Sequence, residues 1–309
     1  MEQKITCRVL TGPTASGKSE IALRLAAEEG WDILCMDSMQ IYRGMDIGTA
    51  KPTKAEQALV PHHLLDLCDP RETFSVSQYV ELAERTVRQL YMEGRQVLFV
   101  GGTGLYLEGM MKPMAMGSVP ADEKLREELH RLADGPDGRV RLDALLRETD
   151  PETADKLPLN DVRRRIRAIE VTRATGIPFS HQEERKIEDS GFNWIAVSLE
   201  TDRNTLYARI NSRVDTMVKA GLTLEIKNLL SEGVPENAQS MQAIGYKEFI
   251  PYLRGEISLA QATEQVKTGS RHYAKRQITF LKRLEGIRYV SAGQDSTYET
   301  VRNILKSAD

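Results

Sequence analysis

The sequence is poor in the features that mark secreted, membrane-spanning and metal-rich proteins. Only three cysteines occur in 309 residues, and Cys7, Cys35 and Cys68 lie far apart with no CxxC pair among them. This spacing argues against a disulfide framework and against a cysteine zinc site, and it predicts a cytoplasmic location. No apolar run approaches the roughly 20 residues of a membrane-spanning helix, and the start does not resemble a secretory leader. We therefore expect neither secretion nor contact with a membrane.

The chain also lacks a large excess of charge of either sign. It holds 42 lysines and arginines against 45 aspartates and glutamates, a formal net charge of −3. This balance argues against a protein that coats nucleic acid indiscriminately, although charge segregated along the chain still permits a local basic face. The five histidines show no metal-ligand spacing, so we assign none of them to a metal.

Apolar segments alternate with amphipathic ones over the first hundred residues. The pattern predicts strands at 5–10, 32–36 and 96–100 and helices at 18–29 and 75–91. Strands that are apolar throughout are typical of a parallel sheet covered by helices on both faces. The fold class predicted from these residues is therefore α/β.

The predicted secondary structure changes in the middle of the chain. Residues 117–191 read as almost wholly helical, with Asp150 and Asn160 as candidate helix caps, and strand character returns at 194–199. We predict a helical insertion domain, 117–191, within an α/β core formed by 1–116 and 192–309. A further edge strand is predicted at 287–290.

The turn between the first strand and the first helix carries a phosphate-binding motif. The segment fits the pattern G-x-x-x-x-G-K-[ST] and consists of Gly12, Pro13, Thr14, Ala15, Ser16, Gly17, Lys18 and Ser19. Its amides and the following helix N-terminus favour an anion, Lys18 adds a positive charge, and the Ser19 hydroxyl is a candidate Mg²⁺ ligand. The motif indicates a polyphosphate and leaves open whether it is a nucleoside triphosphate or a bare diphosphate.

Two polar residues follow the strands beside this loop. Asp37 ends the second strand and is expected near the bound phosphates, because ligands collect at the carboxyl ends of parallel strands. It can hold Mg²⁺ through water, accept a proton from a nucleophile, or merely cap the next turn. The third strand ends in Gly-Gly-Thr-Gly with Thr103, and the absence of an acid there disfavours an ordinary kinase.

Six segments, in the same order along the chain, resemble the bacterial tRNA dimethylallyltransferase family. The long run that begins at Asp37 is the most specific of them, whereas the phosphate loop is shared by many families. The segments are 12–19, 37–52, 101–106, 160–164, 242–246 and 274–279. The resemblance implies a P-loop NTPase-like core with a helical insertion domain.

The resemblance also implies a reaction and its participants. A dimethylallyl group would move from dimethylallyl diphosphate to the exocyclic amine of the adenine 3′ of the anticodon, with Mg²⁺ as cofactor and diphosphate released. Asp37 would be the general base, and Thr103 and Arg213 would join the phosphate loop on the diphosphate. The sequence alone favours a solvent-facing Arg213 on a helix. We expect the protein to act as a monomer.

A tRNA substrate requires a base pocket and a basic surface. Ser38, Met39 and Gln40 are expected to line the pocket beside Asp37 and Thr103. The candidates for the remaining tRNA contacts are Asp161, Arg163, Arg164, Arg165, Gln242, Gly245, Tyr246, Arg271, Lys275 and Arg276. The alternatives are a solvated helix face for the two basic stretches, 161–173 and 271–288, and a core position for Tyr246.

Three other functions compete with this interpretation. A P-loop kinase would use ATP and Mg²⁺, an adenylate prenyltransferase would modify free AMP, and a nucleotide-dependent RNA-binding switch would catalyse nothing. The basic stretches and the helical insertion disfavour the small acceptors, and the acid at Asp37 disfavours a purely binding role.

Overall fold

The computed structural model describes residues 4–112, 119, 121–182 and 191–307. The chain divides into two compact units, Met1–Met111 with Ser190–Asp309, and Lys112–Asp189. The predicted boundary between residues 116 and 117 lies outside the described residues. None of the helices in the described ranges has the length and apolar character needed to cross a bilayer.

A parallel sheet forms the centre of the first unit. Over the described residues it has six strands, in the order β3-β2-β4-β1-β5-β6. Their bounds are Ile5–Thr11 (β1), Asp32–Cys35 (β2), His62–His63 (β3), Val97–Gly101 (β4), Phe192–Glu200 (β5) and Ile287–Ser291 (β6). The predictions of an α/β fold, of a parallel sheet and of an edge strand near residue 287 are confirmed.

Helices pack on both faces of this sheet because its strands are buried on both sides. The central strand β1 has apolar side chains on each face, with Cys7 and Val9 in one cluster and Leu10 in another. The helices of this unit are Lys18–Glu29 (α1), Lys54–Leu59 (α2), Val76–Met92 (α3), Gly104–Met111 (α4), Arg203–Lys219 (α9), Leu222–Ser231 (α10), Ile250–Leu253 (α11), Leu259–Leu281 (α12) and Thr297–Lys306 (α13).

Four α-helices form most of the second unit over its described residues. They are Glu123–Asp134 (α5), Gly138–Thr149 (α6), Pro151–Lys156 (α7) and Val162–Thr175 (α8), and they share an apolar cluster that includes Leu142 and Ile166. Asp150 caps α7 as predicted. The cap of α8 is Asp161 rather than Asn160, because the Asp161 carboxylate accepts the backbone N–H of Arg164.

Candidate active site

The phosphate loop joins β1 to α1 at the carboxyl edge of the sheet. Gly17 directly precedes α1 with φ near +92°, a conformation that strains any other residue. Lys18 donates through Nζ to the carbonyl of Pro13 at 3.2 Å. The Ser16 hydroxyl is buried with no hydrogen-bond partner among the described residues. The loop therefore places hydrogen-bond donors at the N-terminus of α1, as the motif predicts.

A cavity of about 400 Å³ opens at this edge. It brings the phosphate-loop residues Thr14, Lys18 and Ser19 together with Asp37 and with Arg213 of α9. Its wall also holds residues that the sequence assigned to RNA, namely Ser38, Met39, Gln40, Gln242, Gly245, Tyr246 and Arg276. Segments far apart in the chain thus converge on one space.

Two cations and one carboxylate influence one another inside this cavity. Burial, reinforced by the nearby Arg213, lowers the pKa of Lys18 to about 8, and Asp37 opposes that shift. Burial likewise lowers the pKa of Arg213, again against the charge of Asp37. The solvent-facing position that the sequence favours for Arg213 is therefore wrong, because its side chain lies among the site residues.

Asp37 has one carboxylate oxygen engaged within the protein. Its Oδ1 accepts the backbone N–H of Met39 at 2.9 Å, so the residue does cap the following turn. Among the described residues no other donor binds the carboxylate, and the side chain lines the cavity. Capping and a chemical role are therefore compatible.

The turn after β4 lies against the turn after β2. The hydroxyl of Thr103 accepts the backbone N–H of Ser38 at 3.1 Å, and the Thr103 N–H donates to the carbonyl of Met36. Because Ser38 follows Asp37 in the chain, these bonds hold Thr103 beside the acid.

Sequence reasoning missed two members of α12. Tyr273 and Gln277 lie one turn apart and both line the cavity. Burial and the charge of Asp37 raise the pKa of the Tyr273 hydroxyl to about 12, so it stays neutral, while Thr103 and Gln277 act in the opposite direction. Their spacing of four residues was the available signal, because it puts both on one helix face.

Several predicted RNA contacts have other partners within the protein. Arg165 is 1% exposed and its guanidinium binds Asp143 and the carbonyl of Leu157, which contradicts an RNA contact through this residue. Tyr246 is fully buried and donates its hydroxyl to Glu225 at 2.6 Å. Stacking of Tyr246 on a base is contradicted, and its alternative assignment as a core residue fits the structure.

The other predicted RNA contacts differ in whether their side chains are exposed or already bonded within the protein. Arg163 and Arg164 are exposed on α8, as is Lys275 on α12. Arg271 donates to Asn211 Oδ1 at 2.8 Å and pairs with Glu264. The amide of Gln40 donates to the carbonyls of Thr49 and Ala50, and its oxygen accepts the Cys35 thiol. Gln40 therefore uses its polar atoms to fix the pocket wall.

The parallel sheet and its glycine-lysine loop define an α/β protein with a P-loop NTPase-like core. Residues 40–284 match the family model described as IPP transferase. The chain belongs to the IPP transferase family, and the resemblance noted from its sequence motifs is confirmed.

Relatives and solved structures agree with this assignment over nearly the whole chain. A tRNA dimethylallyltransferase of Caldanaerobacter subterraneus subsp. tengcongensis is 41% identical over 95% of this chain and 94% of its own. The structure of a tRNA isopentenylpyrophosphate transferase from Bacillus halodurans is 38% identical, with a TM-score of 0.72, over 98% of this chain and 96% of that one. A eukaryotic dimethylallyltransferase described as acting on tRNA has a TM-score of 0.80 at 27% identity, over 96% of this chain and 76% of that one.

Proposed function

We propose that this protein transfers a dimethylallyl group from dimethylallyl diphosphate to tRNA, at the exocyclic amine of the adenine 3′ of the anticodon. The observation that carries this proposal is the shared cavity, in which Lys18, Ser19 and Arg213 lie with Asp37. The relatives named tRNA dimethylallyltransferase support the prenyl group and the tRNA acceptor. The site then needs an anion-binding half and a proton-accepting half.

The anion-binding half stabilises the leaving group. In the reaction the bond between the allylic carbon and the diphosphate oxygen breaks, and its electron pair leaves on the diphosphate. Lys18 and Arg213 line the cavity in which that charge develops, and the N-terminus of α1 favours it. Losing one such preorganised donor typically costs about 10²–10³-fold in rate.

The proton-accepting half acts on the incoming amine. An adenine amine is a weak nucleophile because its lone pair is delocalised into the ring. As the new carbon–nitrogen bond forms, the amine proton becomes acidic, and Asp37 accepts it through the oxygen that does not bind Met39. Thr103 is held beside Ser38 in the adjacent turn, and from there it contacts the acceptor base or the diphosphate.

Mg²⁺ fits the donor set of this site. Ser19 is exposed at the first turn of α1 and lines the cavity. The described residues contain no cluster of three or more His, Cys, Asp or Glu side chains able to hold a metal, so water and diphosphate oxygens would supply the remaining ligands, as Mg²⁺ prefers. When bound, the ion would neutralise part of the diphosphate charge.

The experiment is a labelled transfer assay. Dimethylallyl diphosphate carrying a label in the allyl group is incubated with the protein and with tRNA, AMP or no acceptor. We expect label on tRNA alone. Label on AMP and not on tRNA would contradict the proposal, as would phosphate transfer from ATP to a small acceptor.

The assay also tests Asp37. Asp37→Asn keeps an oxygen for the Met39 N–H but accepts no proton, so its rate should fall by about 10²–10⁴-fold. Binding of an anticodon stem-loop should stay within about twofold of the parent, since the removed group acts on a proton. Asp295→Asn, an exposed change in the same unit, is the matched control. Equal loss of binding and turnover in Asp37→Asn would contradict the role of base.

A further inference from the structure

The side-chain amide of Gln277 connects the two halves of the site. Its Oε1 accepts the backbone N–H of Thr14 at 2.9 Å, and its Nε2 donates to the carbonyl of Gly102 at 2.8 Å. The partners fix the orientation of the amide, because one is a donor and the other an acceptor. Gln277 is only 6% exposed; its bond to Gly102 is buried, and its bond to Thr14 is partly buried at the cavity wall.

The two backbone groups belong to loops with different tasks. Thr14 lies in the phosphate loop, four residues before Lys18. Gly102 directly precedes Thr103, whose hydroxyl binds the N–H of Ser38 beside Asp37. One amide therefore spans from the loop that would hold the diphosphate to the turn that would hold the acceptor side.

The close approach of this amide depends on a glycine. A Cβ added at Gly102 would overlap Gln277 Nε2 and lie 3.0 Å from the carbonyl oxygen of Gly12. Any larger residue at 102 would displace the amide or the phosphate loop. Gly102 thus admits both the side chain of Gln277 and the loop it binds.

We propose that Gln277 is a positioning residue for prenyl transfer. Its side chain sets the gap between the phosphate loop and the Thr103 turn. The proposal rests on the function proposed above. A transfer reaction is sensitive to this gap, because the allylic carbon must stand within reach of the amine while its diphosphate stays in the loop. A displacement of about 1 Å can cost about 10²-fold in rate.

The test compares two substitutions with a matched control. Gln277→Met has similar length and makes neither bond, whereas Gln277→Glu keeps the acceptor for the Thr14 N–H and loses the donor to Gly102. Gln89→Met, on the exposed face of α3, is the control for the same change of side chain. For each protein we would measure kcat and KM for tRNA transfer, the dissociation constant of inorganic diphosphate, and the melting temperature.

We expect a loss confined to the transfer step. Gln277→Met should lower kcat by about 10²-fold while the diphosphate dissociation constant changes less than about threefold. Gln277→Glu should lose at least as much activity as Gln277→Met, because its carboxylate faces the carbonyl oxygen of Gly102 and adds a negative charge beside the phosphate loop. The ratio of dimethylallyl alcohol to prenylated tRNA should also rise in Gln277→Met, because a misplaced amine lets water capture the allylic carbon.

Two results would overturn the inference. One is an unchanged kcat and product ratio in Gln277→Met. The other is a parallel fall of kcat, diphosphate affinity and melting temperature in both substitutions, which indicates a purely structural amide. If the unsubstituted protein transfers no prenyl group to tRNA, the proposed function fails and this inference fails with it. An active parent with an unaffected Gln277→Met removes this inference alone.

Discussion

At the scale of single residues, the charge state of Lys18 depends on its surroundings. Burial and the neighbouring Arg213 lower its pKa to about 8, so a free protein above that pH increasingly carries a neutral Lys18. A bound diphosphate favours the charged amine and raises its pKa again. Anion binding should therefore take up a proton on the alkaline side of pH 8.

This linkage predicts how diphosphate affinity varies with pH. From about pH 7 to about pH 9 the affinity should weaken, approaching about tenfold per pH unit above the pKa of Lys18. Titration calorimetry in two buffers of different ionisation enthalpy measures both the affinity and the proton uptake. Lys18→Arg stays charged throughout and corrects for the ionisation of diphosphate itself. If the diphosphate affinity of the unsubstituted protein varies with pH as that of Lys18→Arg does, the linkage is refuted.

Single residues also mark where prediction from sequence stops. Three consecutive arginines follow Val162 in the first turn of α8, and nothing in the arginine run itself separates them. Helix geometry turns Arg163 and Arg164 toward solvent and Arg165 into the helical core, where it binds Asp143. The sequence likewise could not show that Arg213 lies in the cavity, because this depends on how α9 packs within the first unit.

At the scale of elements, local signals predicted most of the fold. Apolar runs located the strands of the sheet centre, and a serine at position 75 that forms a capping box began α3 within one residue of the predicted start. The two-residue strand β3 was missed because His62 and His63 carry no strand pattern and pair only through β2. The cavity itself depends on long-range convergence: the rule on strand ends placed Asp37 near the phosphate loop, but only the resemblance to a family brought Arg213 and residues 242–246 to the same site.

One carboxylate fixes the loop at residues 46–48, which continues into the wall of the cavity. Glu225 of α10 accepts the backbone N–H groups of Asp46, Ile47 and Gly48 at 2.7–3.1 Å, together with the Tyr246 hydroxyl. This loop continues to the carbonyls that bind Gln40. A single carboxylate therefore holds the pocket wall against α10.

Removing that charge should loosen the loop. Glu225→Gln replaces one acceptor oxygen by a donor that faces other donors, so the free energy of unfolding should fall by about 2 kcal/mol. Tyr246→Phe removes only one of the four bonds and should cost about 1 kcal/mol. Urea unfolding of both variants measures the difference. Equal stability of the two variants would contradict the role of Glu225 as the organiser of this loop.

At the scale of the whole molecule, a net charge of −3 coexists with an RNA substrate in the proposed function. The structure leaves fewer arginines available to RNA in the basic stretch 161–173, because Arg165 pairs with Asp143 and Arg167 pairs with Glu170. Arg163, Arg164 and Arg173 remain exposed, with Arg164 only 3.5 Å from Asp161. Long-range attraction of the whole protein is weak, so binding must rest on a few local phosphate contacts.

Salt dependence tests this conclusion for the molecule as a whole. Arg163→Glu with Arg164→Glu should weaken binding of an anticodon stem-loop and lower the slope of log affinity against log salt by about 1.5, the value for two phosphate contacts. Arg139→Glu with Arg141→Glu reverses two exposed arginines of α6 and changes the net charge equally. Filter binding over a series of salt concentrations gives both slopes. If the two double variants show the same slope, the general charge of the unit attracts RNA and Arg163 and Arg164 make no specific contact. If only the α8 pair flattens the slope, these two side chains neutralise phosphates directly.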